Sequence, residues 1–191
     1  MRYCAGLREE VIMGKIPAAS RDELTSQQQT TWDRVMSGRT GGGGPYGTLM
    51  HVPEMAGCFS ATEGYFRDRG TLAKPDKELI ILAVARELGA RFPWSRHEIR
   101  AREVGVRGEA IEVLRSQGAL DALSAHEKLI VEMARSLVHE RKLTGELFAR
   151  VRAELGVGPL VEAVGLVGHY NFISMVARTF ELDVPPGTAT F

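Results

Sequence analysis

Cysteine is scarce in this sequence, with only Cys4 and Cys58 among 191 residues. They stand far apart and outside any C-x-x-C or Cys/His spacing, which argues against a disulfide framework and against a zinc site. A reducing cytoplasm is the compartment that fits. An excess of charge of either sign is also missing, because 24 Lys plus Arg balance 24 Asp plus Glu. No overall field then draws the chain to nucleic acid or to an anionic membrane, which leaves a small molecule as the expected partner. The N-terminus has no apolar stretch of signal-peptide length, since Arg8, Glu9 and Glu10 interrupt it. Period-two strands of useful length are lacking too, which predicts an all-α fold.

What is present is enough apolar material for one substantial core: 44% of the residues are hydrophobic, and the length suits a single domain over 1–191. Helix starts are written locally. "TSQQ" at Thr25 to Gln28 and "SAHE" at Ser124 to Glu127 have capping-box form. The first helix is expected to end near Gly38 and the second near His139. Pro53, Pro75 and Pro93 suit first-turn positions, and Gly70, Gly105 and Gly156 read as C-terminal stops. Four consecutive glycines, Gly41 to Gly44, predict a flexible loop near 38–48; Pro45 and Tyr46 follow them instead of the Lys-Ser/Thr of a phosphate loop. The most apolar stretch, Pro159 to Ala177, carries Glu162, His169 and Asn171, and reads as a buried helix rather than a membrane span.

Two of the predicted helices carry candidate chemistry. Glu78 falls in the first turn after Pro75, where the helix N-terminus favours a carboxylate by about 0.5 kcal/mol whether or not it has another role. Trp94 and His97 lie three apart and share a helical face, so an indole can wall a pocket around a histidine able to donate and accept protons. The bland alternative is a core-edge His bonded to backbone. An antiparallel hairpin turning near Arg91 leaves Glu78 and His97 mismatched along the axis by roughly 7 Å, so a water, a tilt or another subunit is needed to join them. Arg39 can clamp a substrate carboxylate or merely neutralise helix-end carbonyls. His51 can be a second acid or a turn residue. Tyr170, a candidate substrate contact, and Asn171 lie in the apolar last helix, where structural hydrogen bonds are the expected use. Arg96 and Arg100 read as a solvated basic face with Glu103 nearby.

The order of Arg39, "PY" at Pro45, "HVPE" at His51, "KEL" at Lys77, "WSRH" at Trp94, "AREVGV" at Ala101 and "GHYN" at Gly168 resembles the carboxymuconolactone decarboxylase family, which includes the alkylhydroperoxidase D-like proteins. The resemblance covers nearly the whole chain. It implies an all-α homo-oligomer, a homotrimer or homohexamer, with sites near subunit contacts. The peroxidase branch carries C-x-x-C-x-x-x-H after an upstream glutamate. The matching positions here are Ala90, Pro93 and His97, with Glu78 upstream, so the proton-relay pair is present and both thiols are missing. Without the thiolate nucleophile and its resolving partner, dithiol peroxidase activity is not expected. The decarboxylase-like branch usually has an acidic residue just before the Trp and a second His before the last one, where this chain has Pro93 and Arg96.

Together these readings predict a cofactor-independent, decarboxylase-like lyase, with no metal, acting on a small carboxylated lactone or conjugated carbonyl compound. His97 is the expected acid/base, Glu78 its partner, and Trp94, Arg39, His51 and Tyr170 the expected substrate contacts. The alternative is a non-catalytic oligomeric small-molecule-binding protein of the same fold. The long apolar helix near Leu160 to Val176 adds its own argument for an oligomer, because one small domain can rarely cover it.

Overall fold

The computed structural model describes residues 14–39 and 41–191, and among them every regular element is helical. Cys4 and the N-terminal stretch read above for a leader lie outside the described residues. Helix α1, Ser26–Met36, and helix α7, Ala125–His139, begin with the two expected capping boxes, each closed in both directions by Thr25 with Gln28 and by Ser124 with Glu127. Such boxes satisfy two amide donors that a helix start leaves without partners. Helices α3, Pro53–Asp68, and α4, Lys74–Glu87, carry Pro53 and Pro75 in their first turns, and α5, Arg91–Glu103, carries Pro93 there. Helices α6, Gly108–Ser116, α8, Gly145–Leu155, and α9, Val157–Thr179, complete the long elements.

The centre of the molecule is α4, against which α5, α6, α7 and α9 pack. Every residue from Leu79 to Ala85 is buried, so this helix is apolar around its circumference rather than along one stripe. Ile80, Leu82 and Val84 are fully enclosed, each stabilising the fold by about 1.5–3 kcal/mol. The segment between α1 and α3 departs from the flexible loop expected at 38–48. A 3-10 turn at Gly41–Gly43 leads into a short helix α2, Pro45–Leu49, whose five residues are all buried. Tyr46, Leu49 and Met50 supply the apolar surface that draws it inward. Gly47 is required there, since a Cβ would lie 2.1 Å from the Gly42 carbonyl oxygen.

Two features of α9 matter later. It is long and apolar enough to cross a membrane, yet 61% of that window is buried within the protein. Its Glu162 accepts hydrogen bonds from Tyr65 Oη, the Thr71 amide and hydroxyl, and the Leu72 amide, tying the α3–α4 connection to the helix. On the outer face Val157, Val161, Val164 and Met175 stay exposed. Val157, Val161 and Val164 follow one another at helical spacing, and Met175 stands about three turns further along the same face.

Candidate active site

The link between α4 and α5 decides whether Glu78 reaches His97. Helix α4 stops at Gly89, whose φ of +64° is the left-handed conformation that glycine adopts without steric cost. The Gly89 and Ala90 amides donate back to Arg86 and Ala85, closing a Schellman-type end. The hairpin thus turns at Gly89 rather than near Arg91; counted from there Glu78 lies eleven residues back and His97 eight forward, an axial mismatch of about 4.5 Å that two side chains can span. Glu78 Oε2 meets His97 Nδ1 directly at 2.7 Å. Glu78 opens the second turn of α4; Asp76 occupies the acidic first-turn place.

From α9, Tyr170 completes a chain. Its Oη lies 3.0 Å from His97 Nε2, and the rings meet edge to face at 5.0 Å. Burial, reinforced by the negative charges of Glu63 and Glu78, holds the Tyr170 phenol protonated far above its ordinary range. These partners fit the imidazole tautomer that donates from Nδ1 to the Glu78 carboxylate and accepts at Nε2 from the Tyr170 hydroxyl. Three helices thus align a carboxylate, an imidazole and a phenol. The His97 side chain is 7% exposed and that of Glu78 14%, so the chain is shielded but not sealed.

Two cavities flank it. The first, about 190 Å³, lies beside the glycine segment and is bounded by Arg39, Tyr46, Phe92, Pro93, Arg96 and His169 among others. The second, about 380 Å³, lies towards the start of α4 and includes Lys77, Glu78, Ile81, Glu103 and Val104. Glu63, His97, Arg100 and Tyr170 line both. Ionisable lining differs sharply. Apart from histidine, the first has three basic residues and one acidic, the second four of each.

The structure distributes the sequence-derived candidates unevenly. His97, Glu78 and Tyr170 come together. Arg39 lines the first cavity, but its guanidinium is ion-paired with Glu63, bonded to the Val35 carbonyl and stacked 4.0 Å over the Tyr46 ring. It is therefore a neutralised wall rather than a free clamp. His51 is displaced from the site: it is exposed and its Nε2 contacts the Pro17 carbonyl oxygen at 3.0 Å. Trp94 is fully buried and lines neither cavity. Its indole donates to Glu98 at 3.0 Å, one turn on, and meets Phe191 edge to face. Arg96 and Arg100 are exposed as expected, yet they stand at the first cavity and make no ion pair among the described residues.

Glu63, Tyr46 and His169 were not singled out as site residues. Glu63 sits mid-helix in α3, and its partner Arg39 is 24 residues away, a separation that leaves no local signal. Tyr46 is enclosed, and its hydroxyl has no hydrogen-bond partner among the described residues; burial, with Glu63 beside it, keeps that phenol protonated. His169 did have a signal, a polar ring inside an apolar run. Both its nitrogens are enclosed without partners among the described residues, and burial pushes its pKa down, so it is a neutral imidazole on the cavity wall.

This all-helical fold is shared with solved proteins of low sequence identity. A protein from Ralstonia eutropha JMP134, described as an alkylhydroperoxidase AhpD core and an uncharacterised peroxidase-related protein, superposes with a TM-score of 0.74 over 91% of this chain and 93% of its own, at 13% identity. A protein of unknown function from Agrobacterium tumefaciens, suggested to be the antioxidant defence protein AhpD, superposes with a TM-score of 0.65 over 72% of this chain and 95% of its own, at 18% identity. Residues 53–136 match the Carboxymuconolactone decarboxylase family. The matched stretch holds Glu63, Glu78 and His97. No curated protein matches the sequence significantly.

Proposed function

We propose that this protein is a cofactor-independent, decarboxylase-like enzyme for a small carboxylated lactone or conjugated carbonyl compound. The observation that supports this most is the Glu78–His97–Tyr170 chain ending at a cavity with an excess of positive charge. Arg96 and Arg100, one turn apart and without an ion pair among the described residues, draw in and hold the anionic end, the role expected of Arg39 from its sequence position. On decarboxylation the bond between the substrate carbon and its carboxylate breaks, CO₂ leaves, and the electron pair moves into the conjugated carbonyl. A proton from the chain then adds to carbon. Peroxide reduction is a poorer fit, because Ala90 and Pro93 replace both thiols and Cys58 is exposed on α3, away from both cavities. The test is a panel of lactones, β-keto acids and quinone-like acids, followed by CO₂ release or loss of the conjugated chromophore; silence across the panel sinks the proposal.

The replaced thiols and missing acidic residue before Trp94 favour a second reading, a non-catalytic protein that binds a small molecule in the same cavity. A ligand bound tightly and returned unchanged would select it. In either reading we take the protein as a cytoplasmic homotrimer or homohexamer. The apolar stripe of Val157, Val161, Val164 and Met175 supports assembly, and a stable monomer by native mass measurement at micromolar concentration would remove that part.

A further inference from the structure

We infer that Tyr46 and His169 form a subsite for an uncharged oxygen, a hydroxyl or a carbonyl, on a monocyclic carboxylate held in the first cavity. Buried polar groups in folded proteins are nearly always hydrogen-bonded, so those that are not need an explanation. Among the described residues four buried side-chain atoms lack a partner: Tyr46 Oη, both ring nitrogens of His169, and Ser174 Oγ. Three of the four belong to two residues, and both of these line the first cavity, whereas Ser174 lines neither. The pair comes from separate elements, Tyr46 from α2 and His169 from α9. Both are more than nine-tenths buried, at 4% and 5% exposure. Orphaned polar atoms gathered from distant parts of the chain onto one small cavity point to an occupant.

The chemistry of the two groups selects what that occupant presents. Burial keeps the Tyr46 phenol protonated and the His169 imidazole neutral, so neither brings a charge to attract an anion. The negative charge of Glu63 acts on both groups, which disfavours a second carboxylate at this end. A phenol offers an O–H, and a neutral imidazole one N–H and one lone pair. A carbonyl oxygen can accept from both; a hydroxyl can accept from one and donate to the other. A bare ring C–H leaves both unpaired. Arg96 and Arg100, on α5, take the carboxylate, and Phe92, Pro93 and Ile173 give the ring apolar walls. The volume agrees: an apolar cavity of about 150 Å³ admits benzene, and about 190 Å³ suits one ring with two small substituents. A ligand that fills so small a space lies against both residues, and small side-chain shifts of the kind common on binding bring their enclosed atoms onto it. His169 also packs its ring 5.3 Å from that of Tyr170, so the subsite adjoins the phenol that ends the Glu78–His97–Tyr170 chain.

This inference rests on the carboxylate placement in the proposed function, but its test needs no turnover. The probes are benzoate, 3- and 4-hydroxybenzoate, and 3- and 4-fluorobenzoate as size controls, with binding to the whole protein measured by calorimetry. The better hydroxybenzoate should bind about tenfold or more tightly than benzoate and than its own fluoro analogue, the scale of one or two net hydrogen bonds. Tyr46→Phe and His169→Phe should each reduce that preference by about threefold or more while leaving benzoate affinity within about twofold. Tyr46→Phe deletes an oxygen that no described protein group bonds, so the melting temperature of the unliganded protein should not fall, and this variant carries the test alone if His169→Phe fails to fold. Equal affinity for hydroxybenzoate and benzoate, a preference undiminished by Tyr46→Phe, or no binding of any probe overturns the subsite. A hydroxyl preference that behaves as expected while the decarboxylation panel stays silent leaves the subsite standing without the activity; CO₂ release with no such preference leaves the activity without the subsite.

Discussion

His97 and Glu98 are neighbours in the chain and both are buried, yet they belong to polar clusters of opposite kind. Glu98 faces a closed cluster. Its carboxylate accepts from Trp94 Nε1 at 3.0 Å, Arg102 at 2.9 Å and Arg115 at 2.5 Å, and these bonds outweigh burial to hold its pKa down. Arg115 also lies over the Trp94 ring at 5.3 Å. His97 faces an open cluster, with Glu78 and Tyr170 on its two nitrogens and a cavity on each side. A satisfied network with no adjoining space can only stabilise. One of similar chemistry beside space can exchange protons with whatever fills it. The distinction between a structural and a chemical carboxylate lies in what adjoins it rather than in how deeply it is buried.

The sharpest break of that comparison is Glu98→Ala. It strands the Trp94 N–H in the interior, while Arg115 keeps Glu112 and the Thr190 carbonyl and Arg102 is more than half exposed, so an unfolding loss of about 2 kcal/mol is expected, less than the about 3–5 of breaking a fully buried pair. Urea unfolding measures it. Activity per folded molecule should hold. A loss below about 1 kcal/mol would mean that the closed cluster adds no more than a surface pair.

His97→Gln should do the reverse. Turnover of an accepted substrate is expected to fall by about 10²-fold or more, the scale for losing a positioned proton donor, with the fold retained. Were the histidine only structural, stability would drop by roughly 1 kcal/mol with activity intact. Melting temperature and turnover on one preparation separate these outcomes. Glu78→Gln should cost less, about tenfold, because the carboxylate acts through the imidazole, and the double variant should lose less than the product of the two. Full multiplicativity in that cycle would show that the two residues act apart, contrary to their 2.7 Å contact.

How far these clusters could be read beforehand follows from sequence separation. The capping boxes of α1 and α7 were legible because all their partners lie within four residues. Glu78 and His97 were recognisable as a pair, but their direct contact was not, because it depends on the hairpin turning at Gly89 and on the packing of α4 against α5. Trp94 was assigned to the wrong cluster. Spacings of three and four both make helical neighbours, so spacing alone does not decide between His97 and Glu98, and it is Glu98 that the indole N–H meets. Arg115, which fixes that choice, and Glu63, which occupies Arg39, come from distant parts of the chain. Hydrophobic pattern placed the helices; it carried no information on which cations were already paired.

The smallest expected effect belongs to His126, which lies in neither cluster. His126 bridges Asp76 near the start of α4, at 2.9 Å, and Glu154 on α8, at 2.7 Å. Burial works against its charge, but the hydrogen bonds and charges of Asp76 and Glu154 outweigh it and raise its pKa above the ordinary 6.5. A raised histidine pKa means that the folded state holds the proton more tightly than the unfolded one. Its stabilisation is complete below about pH 6.5 and fades as pH rises through the folded value. The side chain is 40% exposed, so solvent screening keeps the contribution small. The wild-type melting temperature should therefore lose a small increment as pH rises above about 6.5 that His126→Gln does not lose. Asp76 lies two residues before Glu78 on the same helix, so the bridge braces the helix that carries the relay without touching His97. If His126→Gln showed the same pH dependence of melting as wild type, the bridge would contribute nothing beyond its solvated parts. If it also shifted the pH profile of turnover, the bracing and the chemistry would not be separable as this arrangement implies.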